Sequence, residues 1–159
     1  MTLLEAITRA REQGELSALI EKIPYALFLG LGAELREGRV VGTMRFSPML
    51  IGNPTLPALH GGAIGALLEW TAIFDLLYRA ETLRIPKTIN ITVEYLRSGR
   101  PLDTFARAEI TKQGRQVASV RAIAWQTDPA RPIAAANLHF LLQGLSPADA
   151  PLGAVPPHG

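Results

Sequence analysis

Between Gly61 and Arg79 the chain reads "GGAIGALLEWTAIFDLLYR". Almost every residue in that run suits a helix, and the run is apolar on most sides, the pattern of a helix buried nearly all round. A helix of this kind needs cover from several directions. In the stretch "LHGGAIGALLEW", Leu59 to Trp70, a lone carboxylate, Glu69, interrupts the apolar pattern. An ionised side chain in such a run is costly unless it is solvated, paired or put to use.

The flanking segments supply the cover. Leu3, Leu4, Ile7, Leu16, Leu19, Ile20 and Ile23 recur at spacings near three and four. They predict one helix, or two short ones divided at Gly14, over an N-terminal segment 1–23 that ends before Pro24. "AELREGRVVGTMRF" reads as a hairpin turning at Glu37-Gly38. "SPMLIGNPTLPA" carries three prolines and reads as an irregular loop. After Pro86 the texture changes to period two. "KTINITVEYLRSG", "DTFARAEITKQG", "RQVASVRAIAWQTD" and "RPIAAANLHFLLQ" predict four strands, punctuated at Ser98-Gly99, Gln113-Gly114 and Asp128-Pro129 as in an antiparallel meander. The expected fold class is α+β: a long central helix wrapped by one curved antiparallel sheet of about five to six strands, plus an N-terminal helix. Such a sheet, open on its far face, predicts self-association. The expected organisation is one domain over 1–145 and a Pro/Gly/Ala-rich mobile tail over 146–159.

Composition narrows the chemistry. The 159 residues are 48% hydrophobic and 19% charged, with a net charge of +2 and basic residues scattered rather than clustered. Nucleic-acid binding is not suggested. There is no cysteine, which excludes disulfides and thiolate chemistry and fits a reducing, cytoplasmic setting. The N-terminus shows no export signal, and the run Ala63–Ile73 is too short to span a bilayer. His60, His139 and His158 are widely separated, so no metal-ligand spacing is expected. His139 reads as a core or interface residue. No serine lies in a Gly-x-Ser-x-Gly context, and neither a P-loop nor a dinucleotide fingerprint occurs.

His60-Gly61-Gly62 stands at the mouth of the helix. The first helical turn leaves backbone N–H groups without intrahelical partners, and the helix dipole adds positive character there. Glycine allows close approach to that backbone. The motif suits an oxyanion hole; equally, it suits a sharp loop-to-helix turn. Glu69 lies about two turns further in, on a stripe of Gly65, Ala66, Ala72 and Ile73. That stripe leaves room beside a carboxylate able to attack a carbonyl or activate water. A Glu that only reaches solvent fits the same spacing. Asp75 reads as a solvated or Arg79-paired residue. Arg97 and Arg100 in "LRSGRP", with Lys112 and Arg115 in "KQGR", flank predicted turns. Their side chains suit phosphate oxygens or plain solvation.

"LHGGAIGALLEWTA" followed by "INITVEYLRSGRPLDTFARAEITKQGRQVASVRAIAW" resembles the hotdog-fold acyl-CoA thioesterases of the PaaI-like group, over roughly Val40 to Leu142. The family motif is a His-Gly-Gly helix start with an Asp or Glu nine residues after the His, a spacing met by His60 and Glu69. The resemblance implies hydrolysis of an acyl-CoA thioester with no cofactor beyond the coenzyme A of the substrate. It also implies a homodimer with sheets joined edge to edge, often paired into a homotetramer, and active sites at the dimer interface. Gly61 would supply the N–H to the thioester carbonyl, and Glu69 would be nucleophile or general base. His60 would shape or polarise the site, with Gly62, Arg97, Arg100 and Arg115 as substrate contacts. Many members carry an Asn six residues before the His; here that place is Pro54, and Asn53, one residue earlier, is the candidate catalytic residue that would position water in its stead. A hydroxyl four residues after the acid occurs in some members; here it is Ile73, and Thr71 does not match it. These departures motivate a second reading, a non-catalytic acyl-CoA binding or sensing module.

Overall fold

The structure, a computed structural model, describes residues 1–79 and 84–144. The expected tail over 146–159, with His158, lies outside the described residues. Helix α1 (Leu3–Gln13) opens with a capping box in which Thr2 Oγ1 accepts from Glu5 N–H and the Glu5 carboxylate accepts from Thr2 N–H. It closes on Gly14 in the left-handed region at φ 70°, where glycine avoids the steric cost of a Cβ. A one-turn helix, α2 (Ser17–Ile20), follows.

Both helices end before Pro24, as the sequence predicts, but Pro24 does not close the helical part of the chain. It is the first residue of a third short helix, α3 (Pro24–Phe28). At that position the missing N–H costs nothing and the fixed φ favours the helix. The helical segment therefore reaches Phe28 rather than stopping at 23.

Strands β1 (Leu31–Arg36) and β2 (Arg39–Met44) form the expected hairpin. Its two turn residues, Glu37 and Gly38, both have positive φ, the requirement of a tight turn matched to strand twist. The proline-rich segment is not irregular throughout. A 3-10 turn (Pro48–Leu50) leads into β3 (Ile51–Asn53), which pairs with β4 (Ala58–Leu59) in a small two-stranded sheet. The long helix, α4, spans Gly61–Arg79 as the sequence predicts.

Four strands follow: β5 (Arg84–Tyr95), β6 (Thr104–Gln113), β7 (Val117–Trp125) and β8 (Ala134–Gly144). The main sheet has six antiparallel strands in the order β1-β2-β6-β7-β8-β5. Only β6, β7 and β8 form a meander; β5 lies at the far edge beside β8, not beside β6. Ser98-Gly99 marks where a strand ends but says nothing of the edge to which the chain returns. The connection after β5 passes over the start of α4, where Leu59 N–H donates to the Gly99 carbonyl at 2.9 Å, and so crosses the end of the sheet. Strand β5 also begins before Pro86, which pairs with Leu142 inside it. An edge strand tolerates proline because one side makes no ladder bonds.

The sheet closes over α4 on alanine. Ala106, Ala124 and Ala134 form one cross-strand rung, and Ala108, Ala122 and Ala136 the next. These short side chains let the sheet curve onto a helix whose own buried face carries Leu67, Leu68, Phe74, Leu76 and Leu77. Ala6, Ile7 and Ala10 of α1 belong to the same core, and Arg11 Nε donates to the Leu77 carbonyl at 2.8 Å. Each fully buried Leu or Phe contributes about 2–3 kcal/mol. Burial is not complete all round: Gly62, Gly65, Glu69 and Ile73 stay partly open along one stripe of α4.

Asp75 is paired rather than solvated. It is buried, and Arg79 Nε donates to its Oδ1 at 2.8 Å. Burial pushes its carboxyl above the usual value of 3.8, and the bond and charge of Arg79 pull partly against that. A raised folded-state value means the folded chain holds this proton more tightly than the unfolded chain. The contribution is then fully present below 3.8 and is lost as pH rises through the raised value. Asp75→Asn keeps an acceptor for Arg79 and removes the titration. The unfolding free energy of the variant is expected to gain on the parent as pH rises above 3.8, measured by urea unfolding across that range.

Candidate active site

The start of α4 is held from several sides. His60 N–H donates to the Leu50 carbonyl at 2.7 Å, which ties the helix entry to the 3-10 turn. A Cβ at Gly52 would come within 2.7 Å of His60 Cα and 2.9 Å of its Cδ2, so the imidazole lies against bare backbone. Gly62 N–H donates to His60 Nδ1 at 2.9 Å. An accepting Nδ1 carries no proton, so the neutral ring holds its hydrogen on Nε2. The Tyr95 hydroxyl donates to the Gly61 carbonyl at 2.7 Å, and a Cβ at Gly61 would meet its ring at 2.9–3.0 Å. Among the described residues Gly61 N–H donates to no group. Of the two glycine amides, Gly61 is therefore the one left unengaged among the described residues; Gly62 is engaged by its own neighbour. A groove of about 530 Å³ opens here, lined by His60, Gly61, Gly62, Tyr95 and Arg97 among others.

Glu69 sits half-buried on the open stripe of α4. No ion pair involves it among the described residues. Its Oε1 accepts from the Thr88 hydroxyl at 2.6 Å, a short bond of the charge-assisted kind. Thr88 reaches it because of a β-bulge. Ile91 and Val93 face the core, and a regular strand would then turn Ile89 and Lys87 inward. The register shift between Thr88 and Asn90 breaks that parity, leaving Ile89 54% exposed and aiming Thr88 at the helix, as bulges often do. Thr88 is not among the residues the sequence points to, and no local signal distinguishes it from Thr92, the other threonine of β5. Thr71, by contrast, is fully buried, its hydroxyl donating to the Leu67 carbonyl at 2.7 Å.

The other predicted residues are spread out. Asn53 Oδ1 accepts from Thr55 N–H at 3.0 Å, inside its own turn. Arg97 Nη1 donates to the Pro132 carbonyl at 2.6 Å, at the rim of the groove. Arg100 is exposed on the same connection, its backbone bonded to Gln126. Arg115 is at the opposite end of the sheet, in the β6–β7 turn, where with Lys112 it lines a second groove of about 620 Å³. There its carbonyl accepts from Arg84. His139 lies across the outer sheet face from Asn90, Nδ1 to Oδ1 at 2.8 Å.

Comparison with known proteins gives this geometry a context. Residues 56–133, from the β3–β4 turn to β8, match the family described as the thioesterase superfamily. A protein of Salmonella typhimurium named medium/long-chain acyl-CoA thioesterase YigI is 32% identical over 114 residues, 62% of this chain and 73% of that protein. Its Escherichia coli counterpart is 30% identical over 113 residues, with the same coverage. A crystal structure of a Chromobacterium violaceum protein superposes with a TM-score of 0.70 at 36% identity, covering 89% of this chain and 99% of that one. A Bacillus halodurans protein crystallised with CoA shares the fold, with a TM-score of 0.65 at 20% identity over 91% of this chain and 90% of its own. The family match, relatives at least 30% identical over 73% of their own length and a central helix wrapped by six antiparallel strands have one reading: the chain belongs to the thioesterase superfamily and has its hotdog fold.

Proposed function

We propose that the chain hydrolyses acyl-CoA thioesters, with Glu69 as the working carboxylate and Gly61 N–H as the oxyanion donor. The observation that carries this reading is Glu69 itself: half-buried, without a paired cation among the described residues, oriented by the Thr88 hydroxyl and set on the open stripe of the helix. A carboxylate held in a fixed direction by a neutral hydroxyl, rather than neutralised by a cation, is suited to chemistry. In the general-base route Glu69 takes a proton from water and the hydroxide attacks the carbonyl carbon. The C–S bond then breaks, and the leaving thiolate takes the proton back from Glu69, giving free acid and free thiol. In the nucleophilic route Glu69 attacks the carbonyl carbon directly, the C–S bond breaks to release the thiolate, and water cleaves the resulting anhydride, restoring the Glu69 carboxylate, freeing the acid and leaving the remaining proton for the thiolate. Neither route calls for a cofactor beyond the coenzyme A of the substrate.

Helix geometry adds a requirement. Eight residues separate Gly61 from Glu69, about 12 Å along the axis at 1.5 Å per residue. Reacting atoms must come within about 3–3.5 Å. A carbonyl held at Gly61 is thus beyond the Glu69 of the same chain, which favours a site completed by a second copy. Strand β5 ends the sheet order and runs antiparallel to α4, with Tyr95 beside Gly61, Val93 beside Gly65 and Thr88 beside Glu69. Two-fold pairing of β5 edges, with Thr88 opposite Tyr95 of the partner subunit, would bring each Glu69 to the other copy's Gly61. The same operation carries the Arg84, Lys112 and Arg115 end of one copy toward the Arg97 end of the other. The basic residues at two ends of one sheet could then serve one ligand's phosphates. A homodimer of this kind, alone or doubled into a tetramer, is the assembly proposed, in the PaaI-like manner.

Among the described residues no helix is long and apolar enough to cross a membrane, and the cysteine-free sequence fits the cytoplasmic setting proposed here. The test is release of free thiol from short-, medium-, long-chain and aryl acyl-CoAs. Turnover is expected, and the relatives' names make medium and long chains the first to try. Binding of these esters without thiol release would favour the sensing module instead.

A further inference from the structure

The peptide between Gly61 and Gly62 is held at both of its ends. Its carbonyl, from Gly61, accepts from the Tyr95 hydroxyl at 2.7 Å. Its N–H, from Gly62, donates to His60 Nδ1 at 2.9 Å. The two bonds come from opposite directions and from two parts of the fold, the end of β5 and the residue before α4. A helix start is normally the loosest part of a helix, since its first amides have no intrahelical acceptor. Here that looseness is removed on one specific peptide plane.

We propose that Tyr95 is a positioning residue, which together with His60 clamps the Gly61–Gly62 peptide and thereby aims Gly61 N–H. The peptide after Gly61 sets the direction of the Gly61 Cα, and with it the direction of the amide just before. Glycine has no Cβ to limit its φ and ψ, so the donor needs an external brace. The Tyr95 ring supplies the steric half of that brace, 2.9–3.0 Å from where a Cβ at Gly61 would stand. The hydroxyl supplies the directional half. His60 is braced in turn by the bare backbone of Gly52 and by the Leu50 carbonyl. Oxyanion donors act through preorganisation, so a donor free to swing stabilises the developing charge less. Tyr95 is 56% exposed, and nothing in the core depends on its hydroxyl.

This inference rests on the reading of Gly61 as oxyanion donor, and its test separates the two. Tyr95→Phe keeps the ring and removes the hydroxyl. In protein labelled with ¹⁵N-glycine, the Gly61 and Gly62 amide signals are expected to shift, and Gly62 to exchange its hydrogen faster. On an acyl-CoA that the parent hydrolyses, kcat is expected to fall about tenfold with KM within about twofold, since the donor acts on the transition state more than on the ground state. Tyr95→Leu, which also removes the ring, is expected to lose more of kcat. An undiminished kcat, a rise in KM that accounts for the loss, or glycine amides that do not move would each overturn the clamp. If the parent turns over none of the acyl-CoAs, the hydrolase reading falls, and the amide shifts alone decide whether the clamp exists.

Discussion

In Glu69→Gln, release of thiol from acyl-CoA is expected to fall by about a thousandfold, the scale of a lost general base or nucleophile. The substitution is close to isosteric. The amide oxygen can still accept from the Thr88 hydroxyl, so the side chain keeps its place, but it can neither take a proton from water nor attack a carbonyl. Glu69 is half-buried and belongs to no ion pair among the described residues, so no partner charge is orphaned. Stability should stay within about 0.5 kcal/mol of the parent, and the gel-filtration profile should be unchanged. The decisive comparison is kcat from a thiol-reactive dye in parent and variant at equal protein concentration. Undiminished turnover would remove Glu69 from the chemistry.

Gly42→Val tests the fold rather than the site. Local preference points one way: valine suits a strand better than glycine, and Gly42 lies inside β2. Packing points the other way. A Cβ at position 42 would fall onto Thr71 Oγ1 and within 3.0 Å of its Cβ, because α4 crosses β2 at that point with Thr71 fully buried. Neither backbone can move without opening the core, so overpacking should cost about 3 kcal/mol. For a chain of this size that lowers the melting temperature by roughly 6–12 °C. Calorimetry reads it directly. Gly42→Ala combined with Thr71→Ala should recover part of the loss, since the hydroxyl is the first atom met. A valine variant as stable as the parent would mean that the helix does not sit on β2 in this way.

Both predictions turn on features of different legibility. The position of Glu69 in an apolar helix follows from spacing alone, as does its distance from His60-Gly61-Gly62. Its hydrogen bond to Thr88 does not, because it depends on a bulge that reverses the facing of β5 between Thr88 and Asn90. Strand parity read along the sequence points Ile89 inward, and only pairing with β8 reverses that. Gly42 looks like a weak point in a strand; the close approach of Thr71 makes it a requirement. Pro24 reads locally as a stop and acts as a start, since only the φ of its neighbours distinguishes the two. Gly61 and Gly62 look equivalent in the sequence. The structure engages Gly62 with His60 and leaves Gly61 N–H without a partner among the described residues.

Periodicity by itself determined the long helix, the hairpin at Glu37-Gly38, the four later strands and the place of Glu69 on the helix, because each rests on relations between residues near in sequence. The edge taken by β5, the hydroxyl that orients Glu69 and the bonds that brace Gly61 were decided only in the tertiary structure. Each joins segments far apart along the chain, and no local pattern carries the register in which they meet.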